Sequence, residues 1–149
     1  FKQMLPDVRP GPTGNEVIRF MAIARLMLGA SFRNLQTSWV KEGIARAQHL
    51  LSCGANDLGG TLMNESISTS AGALHGQLMR PAELRRVIRD AGRLPAERNT
   101  RYGVLRAFSL DCHDDPAHPL DAIEDAEKTF GSYVELTRKS KALASRAQS

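Results

Sequence analysis

The sequence predicts a helix-rich α/β fold with an incomplete parallel sheet, the carboxyl-terminal part of a larger domain. Three observations lead there. Apolar residues recur at helical spacing over residues 16–28, 41–53 and 81–91. Two short segments, 31–40 and 55–58, suit strands and flank the second of those helices. Nothing else in the chain reads as a strand, and two strands alone leave unpaired backbone edges that a barrel missing most of its staves cannot close.

Each element has its own justification. Phe1 to Gly14 holds Pro6, Pro10, Gly11, Pro12 and Gly14 and reads as an irregular connection. Thr13 or Asn15 is placed to cap the first helix, in which Val17, Ile18, Met21 and Ala24 recur, and Gly29 is placed to stop it. In the first strand segment, Phe32, Leu35, Thr37, Trp39 and Val40 are strand-favouring types. Lys41 to Cys53 returns to helical spacing, and Gly54 closes it. Strand, helix, strand with short connections is a βαβ unit, which implies parallel pairing and a right-handed crossover. Ligands in such folds gather at the carboxyl ends of the strands. That puts Gln36 to Trp39 and Asn56 to Thr61 on one rim.

Glu65 to Leu78 is expected to be a polar helix. Pro81 suits the first turn of the next helix, which turns Leu84, Val87 and Ile88 inward and ends at Gly92. Leu94 to Thr100 reads as a proline-containing loop and Asp111 to Pro119 as another break. A last helix is expected over Asp121 to Leu143.

Composition narrows the function classes. With 42% hydrophobic and 24% charged residues among 149, the chain is an ordinary globular protein. Aromatics at 5% argue against a stacking platform for single-stranded nucleic acid. The net charge is +4, yet the positives are spread without a dense block, so no nucleic-acid partner is expected and a mildly basic cleft for an anion fits. No apolar run approaches the ~20 residues of a membrane span. The chain starts at Phe1 rather than Met, the mark of a fragment or a processed piece. Cys53 and Cys112 are lone thiols without a Cys-x-x-Cys partner, which suggests the cytoplasm or another reducing compartment.

The stretch from Gly54 to Ser68 is the richest in chemistry. Its glycines and its run of Asn, Asp, Thr, Glu and Ser are poor core material and good ligand-holding material. Asn56 and Asp57 close a strand and could meet a ribose hydroxyl or an amino group. Thr61 follows on the rim. Asn64, Glu65 and Ser66 serve equally as helix caps or ligand contacts. Gln36 and Ser38 share one strand face, and Trp39 could wall a ring-shaped ligand or simply pack. His75 could shuttle a proton or be structural. Arg98, Thr100 and Arg101 with Tyr102 could take a carboxylate or phosphate, or form a solvated loop. The Asp111-Cys112-His113-Asp114-Asp115 run with His118 matches no common zinc spacing, so no metal site is expected.

Asn34 to Gly43, Asn56 to Ser68 and Ala71 to Gly76 together resemble the radical S-adenosylmethionine subunit, or half, of deazaflavin (FO) synthase. The resemblance covers roughly residues 11–102. It implies a TIM-like (β/α) barrel, with 1–104 its last strands and helices and 105–149 a loop plus a carboxyl-terminal helix. It also implies S-adenosylmethionine and a 4Fe-4S cluster as cofactors, tyrosine and a diaminouracil as substrates, and the other radical half or subunit as partner. Gln36, Ser38, Trp39, Asn56, Asp57, Thr61, Asn64 and Glu65 would line the substrate and S-adenosylmethionine cavity, with Glu65 or His75 moving protons. The family's Cys-x-x-x-Cys-x-x-Cys cluster motif is missing here. A sister family in menaquinone synthesis shares the Trp39 and Asn56-Asp57 segments. A non-catalytic binding module is the other reading.

Overall fold

The computed structural model describes residues 11–62, 78–113, 115–125, 128–129 and 131. Helix α1 spans Gly14–Leu28. A capping box starts it: Thr13 Oγ1 accepts from the Glu16 backbone N–H, and the Glu16 carboxylate accepts from the Thr13 N–H at 2.7 Å. Gly29 stops it. Only Met21 of this helix is buried; Val17 and Ile18 lean on the core, while Phe20, Ile23, Leu26 and Met27 are exposed.

The two strand-like segments do lie side by side. Gln36 and Asp57 form a parallel bridge, with the Thr37 N–H donating to Asp57 O at 2.8 Å and the Asn56 N–H to Leu35 O at 3.0 Å. The pairing is much shorter than expected. Trp39 is not on a strand: the chain turns at Ser38 into the short helix α2, Trp39–Glu42. Trp39 and Val40 are each only 1% exposed. A strand points successive side chains to opposite faces, so one of the pair would leave the core; a helical turn buries both. Gly43 then ends α2, and α3 spans Ile44–Ser52, so the helix expected over 41–53 is in fact two.

Helix α4, Pro81–Asp90, carries Pro81 in its first turn as expected. Val87 shares one core with Leu50 and Leu51 of α3 and with Met21, Trp39, Val40, Leu58 and Met79. Gln48 Nε2 also donates to Val87 O at 3.0 Å, tying a side chain of α3 to the backbone of α4.

The expected loop over 94–100 is instead half of a hairpin. Strands β1, Ala96–Arg98, and β2, Val104–Ala107, pair antiparallel with a register shift at Glu97 and Arg98. Asn99 Oδ1 accepts from the N–H groups of Arg101 and Gly103, both at 2.9 Å, and holds the connection.

Beyond β2 the chain is clamped to α4 by charge. Arg89 and Arg85 both reach Asp115, at 2.6 and 2.8 Å, and Arg85 also reaches Asp121 at 3.4 Å while stacking on Phe108. Side chains at 10–14% exposure make this clamp a desolvated one, which holds only with hydrogen-bonded geometry of this kind. Asp121 Oδ1 accepts from the Ala82 N–H and so satisfies an orphan donor of the first turn of α4. Pro119–Ala122 is a 3-10 turn followed by extended Ile123, so the last helix does not begin at Asp121. Most of the range expected for that helix lies outside the described residues, as does the polar helix expected over 65–78 apart from Leu78.

The Arg89 hydrogen bond, then that of Arg85, holds the Asp115 carboxyl below the usual carboxylate range. Its contribution to stability is therefore complete above about pH 4, the unfolded value, and fades as pH falls through the lower folded value. Urea midpoints measured from pH 6 downward are expected to drop more steeply for the native chain than for Asp115→Asn, which has no such proton to take up.

Candidate functional site

The site grows from the carboxyl end of the Gln36–Asp57 bridge. Asn56 uses its whole amide on protein. Its Oδ1 accepts from the Leu35 N–H at 2.8 Å and Arg25 Nη2 at 3.0 Å; its Nδ2 donates to Arg33 O at 3.1 Å and Asn34 Oδ1 at 3.3 Å. Arg25 reaches from α1 and also donates to Gly54 O, Phe32 O and Arg33 O. Gly54 has φ +121°, and a Cβ there would come 2.7 Å from Arg25 Cβ. Only glycine permits both the backbone angle and the approach.

Asp57 comes next. Its side chain is 7% exposed; Oδ1 accepts from the Gly59 N–H at 2.7 Å and Oδ2 from Arg98 Nε at 2.5 Å. Arg98 belongs to β1, so this ion pair fastens the hairpin to the rim. The Asp57 hydrogen bond raises the Arg98 guanidinium above its ordinary value, so it stays charged at every relevant pH. Tyr102 lies 4.3 Å from that guanidinium, ring to cation, in a left-handed backbone at φ 62°.

Around this rim opens a cavity of about 1320 Å³. Asn56, Asp57 and Thr61 line it, together with Arg98 and Tyr102. Gln36, Ser38 and Trp39 do not; they stand behind it. Trp39 is a core residue whose indole N–H donates to Gly60 O at 2.9 Å and fixes the loop from beneath. The exposed Gln36 amide lies against Gly59, where a Cβ would meet its Nε2 at 2.9 Å. Ser38 contributes its carbonyl to the first turn of α2. The Met79 N–H donates to Thr61 O at 3.2 Å, so the chain leaves the rim at Thr61 and returns beside it. Asn64, Glu65, Ser66 and His75 lie outside the described residues.

The sequence leaves Arg98 and Tyr102 between a carboxylate or phosphate contact and a solvated loop, and it gives Arg25 no role. Charge spacing could not pair Asp57 with a residue 41 positions away. Among the described residues no three His, Cys, Asp or Glu side chains are grouped to hold a metal. Asp115 instead serves the α4 clamp, and His118 Nδ1 accepts from the Leu120 N–H at 3.1 Å. No described helix is long and apolar enough to cross a membrane.

A polar loop at the carboxyl end of a parallel bridge, walling a cavity, is the place where α/β proteins gather ligands. Residues 2–110 match the family described as the CofH/MqnC C-terminal region, and the chain belongs to that family. It is 52% identical over 95 residues to a 5-amino-6-(D-ribitylamino)uracil–L-tyrosine 4-hydroxyphenyl transferase of Archaeoglobus fulgidus, covering 64% of this chain and 28% of the relative. Proteins of the same name match at 50% over 99 residues in Methanococcus aeolicus, covering 66% of this chain and 27% of the relative. The match in Methanothermobacter thermautotrophicus is 53% over 93 residues, covering 62% and 25%. The chain thus spans about a quarter of the length of these relatives. No solved structure matches it.

The Asn56 staple gives a direct test. Asn56→Ala leaves the Leu35 N–H and one Arg25 N–H without their acceptor, at a cost of roughly 1–3 kcal/mol. Urea denaturation of the variant is expected to show that loss, with Asn56→Asp intermediate because it keeps both acceptor contacts.

Proposed function

We propose that the full-length protein carrying this chain transfers the 4-hydroxybenzyl group of L-tyrosine to 5-amino-6-(D-ribitylamino)uracil in deazaflavin biosynthesis. The observation that carries this reading is the 50–53% identity to relatives that bear that transferase name. On this reading residues 1–104 are the last portion of a (β/α) barrel, and 105–149 follow it. The lone Gln36–Asp57 bridge and the uncovered apolar side chains of α1 support an arrangement in which further polypeptide completes the sheet.

Asn56, Asp57 and Thr61 form the rim toward substrate and S-adenosylmethionine, Asn56 and Asp57 by holding it in place through their own hydrogen bonds, while Gln36, Ser38 and Trp39 support it from behind. Asn64 and Glu65 add polar contacts, and Glu65 or His75 moves protons. These roles rest on the family resemblance joined to the cavity geometry. When bound, S-adenosylmethionine supplies the 5′-deoxyadenosyl radical. The described residues do not fit an iron–sulfur cluster: Cys53 is half-buried, Cys112 is exposed, and no metal-holding group is assembled. The cluster ligands belong to polypeptide outside this chain, in a reducing compartment. What this chain does is bind and orient, within a cavity that keeps water from a reactive carbon. The partner is the other radical half or subunit of the synthase.

The family description also names MqnC, which keeps a menaquinone-pathway cyclase as the second reading. The full-length protein, reconstituted anaerobically with the other radical half or subunit, reductant, S-adenosylmethionine, tyrosine and the diaminouracil, is expected to yield the deazaflavin chromophore. Failure there, with turnover of a menaquinone precursor, overturns the first reading in favour of the second. In the same assay Asp57→Ala, which frees both Gly59 and Arg98, is expected to cut product roughly a hundredfold through misplacement of the rim. The iron–sulfur absorbance should be unchanged.

A further inference from the structure

We infer that Arg98 anchors the α-carboxylate of an amino-acid ligand at the cavity rim. This rests on the transferase reading, and it names a contact that the reading does not supply.

The geometry is that of a prepared receptor. A guanidinium offers five N–H donors in a rigid plane. Arg98 Nε is committed to Asp57 and Nη1 reaches the Asn99 carbonyl at 3.1 Å. Nη2 has no acceptor among the described residues, and the residue lines the cavity with its side chain 27% exposed. The group cannot swing away. Asp57 holds one edge, Asn99 holds a second position, and the Tyr102 ring covers a face. Its plane is therefore set before any ligand arrives, which lowers the ordering cost of binding. Tyr102 reaches that stacking position through a left-handed backbone angle that a bulky side chain rarely adopts. Such strain gathers at ligand clamps. The surrounding lining suits the rest of an aromatic amino acid, because Leu26, Leu84, Ile88 and Phe108 offer apolar surface.

Among the described residues no acceptor takes the free edge; Glu97, the other carboxylate lining the cavity, makes no ion pair with Arg98. Asp57 is the carboxylate paired with Arg98, and its two oxygens are already used by Gly59 and Arg98. Arg33 and Arg93 also line the cavity and make no ion pair among the described residues. An incoming carboxylate meets net positive charge and gains a charge-assisted pair, whereas an ammonium is repelled and a neutral pyrimidine carbonyl gains only the weaker neutral-acceptor hydrogen bond. Two ligands of the proposed reaction carry an α-carboxylate, L-tyrosine and S-adenosylmethionine, and the chemistry of recognition is common to both.

The experiment measures binding rather than turnover, on the full-length protein carrying this chain. Equilibrium dissociation constants are taken for L-tyrosine and tyramine, and for S-adenosylmethionine and its decarboxylated form, in the native protein, Arg98→Gln and Arg98→Lys. Losing a charge-assisted pair is expected to weaken one of the two acids by roughly tenfold to a hundredfold. Its decarboxylated counterpart should stay within about twofold. Arg98→Lys keeps the charge and the Asp57 pair and should recover part of the loss. Whichever acid responds is the ligand that Arg98 holds. If Arg98→Gln weakens acid and decarboxylated form alike, Arg98 is only a strut for the hairpin and the inference falls. It falls also if neither acid responds, or if the native protein binds neither. Should Arg98→Gln fail to fold, the ratio of acid to decarboxylated affinity in Arg98→Lys decides: a ratio equal to that of the native protein overturns the inference, and a reduced ratio upholds it. Absence of deazaflavin product from the native protein assayed with the other radical half or subunit would instead count against the transferase reading, since it leaves these binding ratios untouched.

Discussion

The contact between Arg25 and Asn56 is the constraint on which the rest of the structure depends. One guanidinium joins α1 to Gly54 at the end of α3, to the carbonyls of Phe32 and Arg33, and to the Asn56 amide. Asn56 in turn holds the Leu35 N–H, so the parallel bridge is gripped at the point where it begins. A bridge of a single residue pair has little stability of its own. Here side chains perform what further strands perform in a complete sheet. The demand propagates into the sequence as a glycine at 54, because any Cβ would strike Arg25 and the backbone angle is left-handed.

From that fixed point the rim is built outward in steps, each dependent on the last. The bridge sets Asp57, Asp57 sets the Gly59 N–H and Arg98, and Arg98 sets the hairpin turn through Asn99 and Tyr102. Trp39 supports the same loop from the core side through Gly60. Asp57 is thus a positioning residue on present geometry. Both its oxygens are occupied, and the side chain that it holds in place is the one with donors to spare.

Much of this framework was legible in the chain. Thr13 with Glu16, Gly29, and Pro81 with Gly92 mark the ends of α1 and α4 by local chemistry that needs no tertiary context. The adjacency of residues 36 and 57 followed from strand, helix, strand order. The extent of the strands did not, because Trp39 and Val40 look strand-like singly and only their joint burial forces a helical turn. The hairpin was hidden for a different reason. Six of its seven strand residues are exposed, so the alternation that betrays a half-buried strand is missing. The ion pairs were out of reach altogether: Arg85 to Asp115 spans 30 positions and Asp57 to Arg98 spans 41, and charge composition carries no pairing information over such distances.

The electrostatics of the cavity follow from which arginines are neutralised and which are not. Arg85 and Arg89 are balanced by Asp115 and Asp121, and Arg98 by Asp57. Arg25 is held entirely by neutral oxygens, three carbonyls and an amide. Its geometry is therefore fixed while no carboxylate among the described residues pairs with it, and it faces the cavity with Arg33 and Arg93. A fixed cation acts at longer range than a hydrogen bond, and in a partly enclosed space its field is screened less than at an open surface. The residue that makes the fold possible thus also gives the cavity its sign. Replacing Arg25 by a neutral residue could not separate the two effects, which is why the charge preference of the cavity has to be probed at Arg98, where a lysine keeps the charge and alters only the directions in which hydrogen bonds can be given.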